Sequence, residues 1–217
     1  MLPDVVGADK IAPMSASYVV LLPVKPPARG KSRLEVDPVR RRALAAAFAL
    51  DTARACLAGT RVRAVLAVTD DARFADDLRA AGCETIPDGV GGDLNESLRQ
   101  AAAEARRRWP DAVVVAVCAD LPALQAGDLD VALPDPAPAG AWFVADQEGT
   151  GTTLYAAAYP LFDPHFGRGS RQAHLDTGAR EVSGTLASLR RDVDDASALA
   201  QAADLGLGAH TRLVLLD

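Results

Sequence analysis

Residues 18–34 read YVVLLPVKPPARGKSRL, and this stretch decides the fold class. It begins with an apolar run that ends at Pro23, which is typical of a buried strand. A loop follows that carries prolines, a glycine and four cations, namely Lys25, Arg29, Lys31 and Arg33. Open α/β sheets bind phosphates at the carboxyl ends of their strands. The stretch therefore predicts an α/β fold with a phosphate-binding loop, although a solvated surface turn would also carry such charges.

The lysines of the chain are concentrated in this loop. Of 23 lysines and arginines only three are lysines, and two of these, Lys25 and Lys31, are loop residues. A lysine ammonium is a compact, flexible point charge, which suits a phosphate whose charge changes during a reaction. The net charge of −6 argues against a nucleic-acid binder, but a nucleotide needs only local cations for its few phosphates.

Length and composition indicate an ordinary globular protein. The 217 residues, of which 49% are apolar and 24% charged, suffice for one α/β domain, which we place at 18–217. We expect residues 1–17 to be a partly disordered leader, because they lack the basic start and apolar run of a signal peptide. No segment is as long and apolar as a membrane span, which predicts a cytoplasmic protein without a membrane partner. Three widely spaced cysteines are expected to be reduced core residues: Cys56, Cys83 and Cys118.

Apolar runs alternate with amphipathic segments through the first half of the chain. Asp37 and Pro38 form a helix start, with an N-cap followed by proline at the first helical position. The predicted strands are Val62–Thr69, Cys83–Ile86 and Ala112–Val117, and the predicted helices are Pro38–Ala58, Ala72–Ala81 and Asn95–Trp109. This alternation predicts a mostly parallel sheet with helices on both faces.

The second half of the chain carries weaker signals. We predict two strands about a glycine turn, at Ala141–Ala145 and Thr152–Ala157, and then an irregular glycine-rich loop over Phe162–Ser170. A helix from Ser170 to Thr177, a strand ending near Asp192 and a closing helix from Ser197 complete the expected order of elements. No internal repeat interrupts it, so one domain is the simplest organisation.

Two acidic motifs follow predicted strands. Asp120 comes directly after the apolar central strand, at the edge where folds of this class bind ligands. In an extended segment Asp192 and Asp194 project to the same side, because the side-chain period is two. Converging carboxylates suit Mg²⁺, which commonly uses one or two of them plus substrate phosphates. The alternative is that Asp120 caps a short helix at Leu121 and that the second motif is a solvated turn with Asp195 as a helix cap.

Two glycine-rich segments have the composition of an anion site. Residues 149–153 read GTGTT and residues 166–170 read FGRGS. Glycine lets the main chain approach a ligand closely, and free N–H groups together with hydroxyls bind phosphate or carboxylate. Ser170 is expected to be the N-cap of the helix through His174, which would aim the amide donors of that helix at an anion. We expect His165 and His174 to be structural or rim residues rather than general bases.

The motifs occur together and in a fixed order: LPVK at 22–25, KSRL at 31–34, LN at 94–95, ADLP at 119–122, GTT at 151–153, FG and GS within 166–170, and DVD at 192–194. In this order they resemble the phosphoenolpyruvate / 2-phospho-L-lactate guanylyltransferase family of coenzyme F-420 biosynthesis. The resemblance covers nearly the whole chain beyond the leader. It implies a Rossmann-like nucleotidyltransferase fold, shared with molybdenum-cofactor guanylyltransferases, whose glycine-rich first loop is replaced here by Pro-Val-Lys.

The resemblance also implies a role for each motif. The implied Mg²⁺ ligands are Asp120, Asp192 and Asp194, and the implied contacts of a phosphoenolpyruvate-type acceptor are Thr152, Gly167 and Ser170. The catalytic cations facing the GTP phosphates would be Lys25, Lys31 and Arg33, with Pro23 and Val24 beside the nucleotide. The partners would be GTP and a small phosphorylated acid, with hand-off of the product to the downstream transferase of the pathway.

The nucleotide base is expected in the crossover after the third predicted strand. A carboxylate accepts from guanine N1–H and the exocyclic amine together, whereas adenine offers no such donor pair. We therefore predict GTP over ATP, with Asp88 and Gly89 at the base and Asn95 at the ribose.

Two other functions stay open at this point. One is a nucleotidyltransferase of the same fold that acts on molybdopterin or a sugar phosphate, and the other is a non-catalytic nucleotide-binding module. The residues also leave the phosphoacid undecided, because phosphoenolpyruvate, 2-phospho-L-lactate and 3-phosphoglycerate differ by little more than a double bond or a hydroxyl.

Overall fold

The computed structural model describes residues 16–25, 34 and 36–216. In these ranges the strands are β1 Tyr18–Pro23, β2 Val62–Val68, β3 Glu84–Ile86, β4 Val113–Val117, β5 Trp142–Ala145, β6 Thr152–Ala157 and β7 Arg180–Glu181. The helices are α1 Pro38–Leu57, α2 Ala72–Ala80, α3 Leu94–Arg108, α4 Ala126–Ala132, α5 Ser170–Asp176, α6 Ala187–Arg190, α7 Ala196–Leu205 and α8 Ala209–Leu216, with a short 3-10 helix at Tyr159–Leu161. None of these helices is long and apolar enough to cross a membrane.

The strands form one mostly parallel sheet, as predicted. Their order is β3-β2-β1-β4-β6-β5-β7, and β6 alone runs against its neighbours. Strands β1 to β5 therefore end at one edge of the sheet, where β6 begins. We call this the carboxyl edge; its strand-end residues are Pro23, Val68, Ile86, Val117 and Ala145, together with the first residue of β6, Thr152.

Helices cover both faces of the sheet, because the central strands are apolar on both sides. In β1, Val20 and Leu22 pack with α1 and α2, while Val19 and Leu21 pack with α3 on the opposite face. All four side chains are fully buried. Cys56 and Cys83 lie in the core as expected, whereas Cys118 is half-buried at the carboxyl edge.

The start of α1 is the one that the sequence predicts. The Asp37 carboxylate accepts from the main-chain N–H groups of Val39 and Arg40, and Pro38 occupies the first helical position. Such a cap stabilises a helix by about 1 kcal/mol. The helix therefore begins at a fixed point on the carboxyl side of the cationic loop.

The last helix of the chain depends on a carboxylate from α1. Asp51 is buried, and its two oxygens accept from the N–H groups of His210 and Thr211 at the start of α8. Gly208 allows this approach, since a Cβ atom there would lie 2.2 Å from the Asp51 carboxyl carbon. Neither α8 nor the short α4 was predicted, because this capping group comes from a distant helix and α4 has no side-chain cap.

The strand predicted to end near Asp192 is wrong. The segment before it is the short helix α6, and β7 contains only Arg180 and Glu181. Helix α6 packs Leu189 into the core at the side of the sheet, and its last residue, Arg190, binds main-chain carbonyls of neighbouring segments. These tertiary contacts replace the strand pairing that the apolar residues suggested.

Candidate active site

The cationic loop begins at the carboxyl edge. The N–H of Val24 donates to the carbonyl of Val68 at 2.8 Å, which continues the β1–β2 pairing past Pro23. Val24 is consequently buried and Lys25 is exposed. Lys31 and Arg33 lie outside the described residues. The predicted nucleotide contacts of Pro23, Val24 and Lys25 thus lie at the predicted edge, and their role stays a prediction.

The two acidic motifs meet at this edge. The N–H of Val193 donates to the carbonyl of Asp120 at 3.0 Å. Val193 is fully buried, so Asp192 and Asp194 flank a residue that points into the core. Asp192 is half-buried and Asp194 is exposed. The contact brings together two motifs that are far apart in the chain.

The proposed capping role of Asp120 is excluded. Helix α4 does not begin until Ala126, and the N–H of Leu121 donates to the Thr52 hydroxyl of α1 at 3.1 Å. Asp195, in contrast, does cap a helix, because its carboxylate accepts from the N–H of Ala198 in α7. The second acidic motif is therefore fixed on one side by a helix start.

Arg190 fixes the same motif on the other side. Its guanidinium donates to the carbonyls of Ala145, Val182 and Gly184 at 2.9, 2.8 and 3.3 Å. The carbonyl of Arg190 accepts from the N–H of Gln147 at 2.9 Å. The segment that leads into Asp192 is thus tied to the ends of β5 and β7.

The chemistry of these side chains fits Mg²⁺. Across the described ranges, no group of three or more histidine, cysteine, aspartate or glutamate side chains is arranged to hold a metal ion. Mg²⁺ does not require such a group, because it commonly takes one or two carboxylates plus substrate phosphates and water. The joined acidic motifs supply hard oxygen donors of this kind. The assignment of Asp120, Asp192 and Asp194 as metal ligands stays a prediction.

Asp88 lies beyond the end of β3 at the far side of the carboxyl edge. Its N–H donates to a carboxylate oxygen of Asp70 at 2.9 Å, which fixes its main chain. Its own Oδ1 atom is buried and has no hydrogen-bond partner within the described part of the chain. Gly89 follows with a φ of 72°, a conformation that favours glycine. A buried carboxylate oxygen of this kind needs a donor.

Asn95 is engaged by the glycine-rich loop. Its Nδ2 donates to the carbonyl of Phe166 at 2.9 Å, and its Oδ1 accepts from the N–H of the same residue at 2.7 Å. The side chain therefore joins the start of α3 to the loop over 162–169. A contact with a ribose stays a prediction, since the amide retains a second N–H.

Thr152 and His174 are joined inside the protein. The Thr152 hydroxyl lies 2.9 Å from His174 Nδ1, and His174 Nε2 accepts from the N–H of His165 at 2.9 Å. His174 is fully buried and stacks on Tyr155, with ring centroids 4.6 Å apart. His174 was expected to be either a structural residue or a rim residue. Its burial makes it a structural residue.

A bulge in β6 places Thr152 on the face of the sheet where His174 lies. In the β5–β6 pairing Val144 lies opposite Leu154, but Ala145 lies opposite Thr152, so Thr153 is an extra residue. Thr152 and Tyr155 would point to opposite faces of a regular strand, yet both contact His174. Bulges re-aim side chains in this way and are frequent beside active sites.

Burial keeps the His174 ring uncharged. Burial and, to a smaller extent, the neighbouring His165 lower the pKa of His174 to about 4, while Asp163 opposes the change. At neutral pH the ring is therefore a neutral hydrogen-bonding group. The spacing of residues in the sequence does not predict the buried, neutral state of His174, because a single histidine in an amphipathic segment indicates neither burial nor hydrogen-bond partners.

Gly167 and Ser170 lie at or just before the start of α5, where the N–H of Arg171 donates to the carbonyl of Thr150 at 3.2 Å. Gly167 is exposed with a φ of 136°, and a Cβ atom there would meet no described atom within 4 Å. The expectation that Ser170 is the N-cap of α5 is wrong: Gly169, with a φ of 74°, precedes the helix, and Ser170 is its first residue. Ser170 is 2% exposed and its N–H donates to the carbonyl of Gly167 at 3.1 Å.

The fold is shared with solved structures of low sequence identity, one of which is a nucleotidyl transferase. No family model matches the sequence. The structure is similar to 4-diphosphocytidyl-2C-methyl-D-erythritol synthase, with a TM-score of 0.59 and 12% identity over 88% of this chain and 99% of that one. It is also similar to a nucleotidyl transferase from Methanothermobacter, with a TM-score of 0.58 and 17% identity over 87% and 96%. The fold is therefore that of the nucleotidyltransferase class.

Sequence relatives narrow the class to one family. A phosphoenolpyruvate guanylyltransferase from Thermomonospora curvata is 46% identical over 198 residues, which cover 90% of this chain and 87% of the relative. Proteins of the same name from Streptomyces scabiei and Salinispora arenicola are 45% and 41% identical, over 89% and 93% of this chain and 94% of each relative. The chain belongs to the phosphoenolpyruvate guanylyltransferase family, as the ordered motifs indicated.

Proposed function

We propose that this protein transfers GMP from GTP to phosphoenolpyruvate. A phosphate oxygen of the acceptor attacks the α-phosphorus of GTP in line. The bond from that phosphorus to the oxygen bridging to the β-phosphate breaks, pyrophosphate leaves, and enolpyruvoyl-2-diphospho-5'-guanosine is formed. The contact between Val193 and Asp120 carries the proposal, because it joins the two acidic motifs at the edge where Lys25 and Thr152 also lie.

The work of the protein in this reaction is positioning and charge neutralisation. Asp120, Asp192 and Asp194 would hold Mg²⁺, which when bound neutralises charge developing on the phosphates. Lys25 extends from the end of β1 toward the same edge, and Lys31 and Arg33 would complete the cationic loop. No protein base is required, because the acceptor phosphate is already an anion.

The base is recognised on the β3 side of the edge. The buried Asp88 Oδ1 atom lacks a donor in the described part of the chain, and guanine N1–H is a donor of the required kind. Adenine has no hydrogen at N1 and would leave the oxygen unsatisfied. Asp88→Asn should therefore reduce the preference of the enzyme for GTP over ATP, while the exposed Asp111→Asn variant at the opposite edge keeps the preference of the parent protein.

The acceptor lies on the β6 side. Thr152 supplies a hydroxyl, Ser170 at the start of α5 supplies another, and Gly167 leaves open space for a small acid. Phosphoenolpyruvate carries a phosphate and a carboxylate close together, so it needs several donors and little room. In this proposal the product enters coenzyme F-420 biosynthesis and is handed to the transferase that consumes it.

The decisive experiment is direct product detection. The protein is incubated with GTP, Mg²⁺ and, in separate reactions, phosphoenolpyruvate, 2-phospho-L-lactate or 3-phosphoglycerate. We expect pyrophosphate release and a mass-spectrometric adduct of GMP with phosphoenolpyruvate in preference to the other acids. Adducts formed only with molybdopterin or a sugar phosphate would overturn the acceptor assignment, and GTP binding without any transfer would indicate a binding module instead.

A further inference from the structure

The side chain of His174 connects the start of β6 to the glycine-rich loop. Each ring nitrogen has one partner: Nδ1 lies 2.9 Å from Thr152 Oγ1, and Nε2 lies 2.9 Å from the main-chain nitrogen of His165. The ring is also enclosed by aromatic groups, since Tyr155 stacks on it and Phe143 and Phe166 contact it. A buried imidazole with both nitrogens used has a fixed orientation.

The main-chain N–H of His165 determines the tautomer. An amide N–H can only donate, so His174 Nε2 must present its lone pair. A neutral imidazole with a lone pair on Nε2 carries its hydrogen on Nδ1. The bond to Thr152 therefore runs from the ring to the hydroxyl, and the Thr152 oxygen is the acceptor.

This direction turns the Thr152 hydroxyl into an oriented donor. The oxygen accepts from the ring, so the hydroxyl hydrogen must point elsewhere. Thr152 is 5% exposed, and His174 is the one hydrogen-bond partner of its hydroxyl in the part of the chain that the structure describes. An anionic oxygen of the acceptor placed beside the Thr152 hydroxyl would receive this hydrogen.

We propose that His174 is a positioning residue for the acceptor: it holds the Thr152 hydroxyl as a donor toward an anionic oxygen of the substrate, and it fixes the main chain of the glycine-rich loop at His165. The inference rests on the proposed function, in which Thr152, Gly167 and Ser170 bind the acceptor. His174 itself does not touch the reacting atoms.

The surroundings of the ring keep this arrangement intact at neutral pH. Burial, and then the charge of His165, lower the pKa of His174, while Asp163 raises it. Asp163 is itself paired with Arg99 at 3.0 Å and with His165 at 3.1 Å. A protonated ring would set an Nε2–H against the N–H of His165 and break the loop contact, so the neutral form is the working form.

Two substitutions separate the two hydrogen bonds of the ring. The side-chain oxygen of His174→Gln can reach the position of Nε2 and accept from His165, but it leaves Thr152 without its donor. The side-chain amide of His174→Asn can take the position of Nδ1 and donate to Thr152, but it leaves His165 without its acceptor. Comparing the pair shows which bond governs acceptor binding.

The kinetic test is a pair of double-mutant cycles with Thr152→Val. We expect Thr152→Val and His174→Gln each to raise the KM for phosphoenolpyruvate about tenfold, as for one lost bond to a charged group, with the KM for GTP changed less than about twofold. Their combination should be no worse than Thr152→Val alone, because both act through one hydroxyl. The combination of Thr152→Val with His174→Asn should be additive, because the second change acts through the loop.

A matched control is His210→Gln. His210 lies in α8 on the opposite face of the sheet and donates through its main chain to Asp51. The same substitution there should leave the acceptor KM unchanged. An unchanged acceptor KM in folded His174→Gln, or full additivity of His174→Gln with Thr152→Val, would overturn the inference while leaving the proposed function in place.

A spectroscopic test is independent of catalysis. Long-range proton–nitrogen correlation spectra of the histidine rings in the substrate-free protein, assigned with His174→Gln, should show the Nδ1–H tautomer of a neutral ring at neutral pH. An Nε2–H tautomer or an imidazolium would overturn the inference even in a protein that folds and turns over. Failure of the proposed function has a different signature, since the wild-type protein would then form no adduct with phosphoenolpyruvate.

Discussion

The two halves of the carboxyl edge are built differently. In the parallel half, formed by β3, β2, β1 and β4, the polar residues follow directly after strand ends and most reach solvent, as Lys25 and Asp70 do. In the half formed by β6, β5 and β7, some of the polar residues are buried and bonded to one another, as Thr152 and His174 are. Asp120 and the segment at Val193 join the two halves.

The difference predicts different consequences of mutation. An exposed side chain of the parallel half such as Lys25 can be replaced with little loss of packing, so substitution there should change substrate use with little change in stability. A side chain in the second half is part of the fold as well as of the site, because a buried partner left without its hydrogen bond is costly. Substitution there should change stability and activity together.

The largest effect is expected at the junction. Asp120→Asn keeps the volume of the side chain but removes the charge that would fix Mg²⁺, so turnover should fall by about a thousandfold. Pyrophosphate release measures the rate, and urea unfolding should show stability within about 0.5 kcal/mol of the parent protein. Excess EDTA should reduce the turnover of the parent protein to the same degree.

The matched control for Asp120→Asn is Asp111→Asn, an exposed aspartate in the turn before β4. It should be fully active. Full activity of Asp120→Asn, or of the parent protein in EDTA, would remove the metal assignment.

The next effect is expected at Arg190, which binds three carbonyls of the second half. Arg190→Met keeps the aliphatic length but leaves these carbonyls without their donor, and it should destabilise the protein by about 3 kcal/mol. Activity should fall as well, since the acidic segment would lose its link to β5 and β7. Chemical denaturation and turnover, measured side by side, test both expectations.

Arg180→Met provides the comparison for Arg190→Met. Arg180 is an exposed arginine on β7, and its loss should leave stability nearly unchanged. Equal stability of the two variants would contradict the stabilising role of the Arg190 hydrogen bonds. So would unfolding of Arg190→Met at the denaturant concentration that unfolds the parent protein.

A smaller effect is expected from pH. Burial lowers the pKa of His174 to about 4, below the ordinary value of 6.5, so the unfolded chain binds more protons between these values. Stability should therefore fall as pH falls from 6.5 toward 4, by about 2 kcal/mol between pH 7.5 and pH 5. Denaturant midpoints at stepped pH measure the change. In His174→Phe this part of the pH dependence should disappear, and its persistence would assign it to other groups.

The smallest effect is expected at Lys25 in the parallel half. Lys25→Ala removes one phosphate-facing charge, so the KM for GTP should rise about tenfold with unchanged unfolding, as for one lost charged contact. Arg63→Ala, at the opposite end of β2, should leave the KM for GTP unaltered. A Lys25→Ala enzyme that uses GTP normally would contradict the role assigned to the loop.

The parallel half could be predicted from the sequence because its signals are local. The apolar runs at β1, β2 and β4 and the cap at Asp37 each lie within a few residues of the structure that they specify. The bounds of those elements follow within a residue or two. The acidic motifs could be paired in advance only because both were expected at a strand end, although the second lies after a helix.

The second half could not be predicted from the sequence, because the contacts that determine its structure are made by residues far apart in the chain. The segment before Asp192 is helical rather than extended, since Arg190 binds the ends of other strands. The face of Thr152 depends on a bulge that the letters GTT do not encode. The burial of His174 depends on aromatic neighbours from other segments, and the N-cap of α5 is Gly169, in a left-handed backbone conformation, rather than Ser170.

The bulge at Thr153 makes the face of Thr152 depend on the register of β6. If β6 kept its length and paired without the bulge, Thr153 would lie opposite Ala145, and Thr152 would turn from His174 to the opposite face of the sheet. Such a shift of register would separate the Thr152 hydroxyl from His174 while the strand ends of the parallel half stay in place. The register of β6 is therefore expected to affect acceptor binding as directly as the identity of Thr152 does.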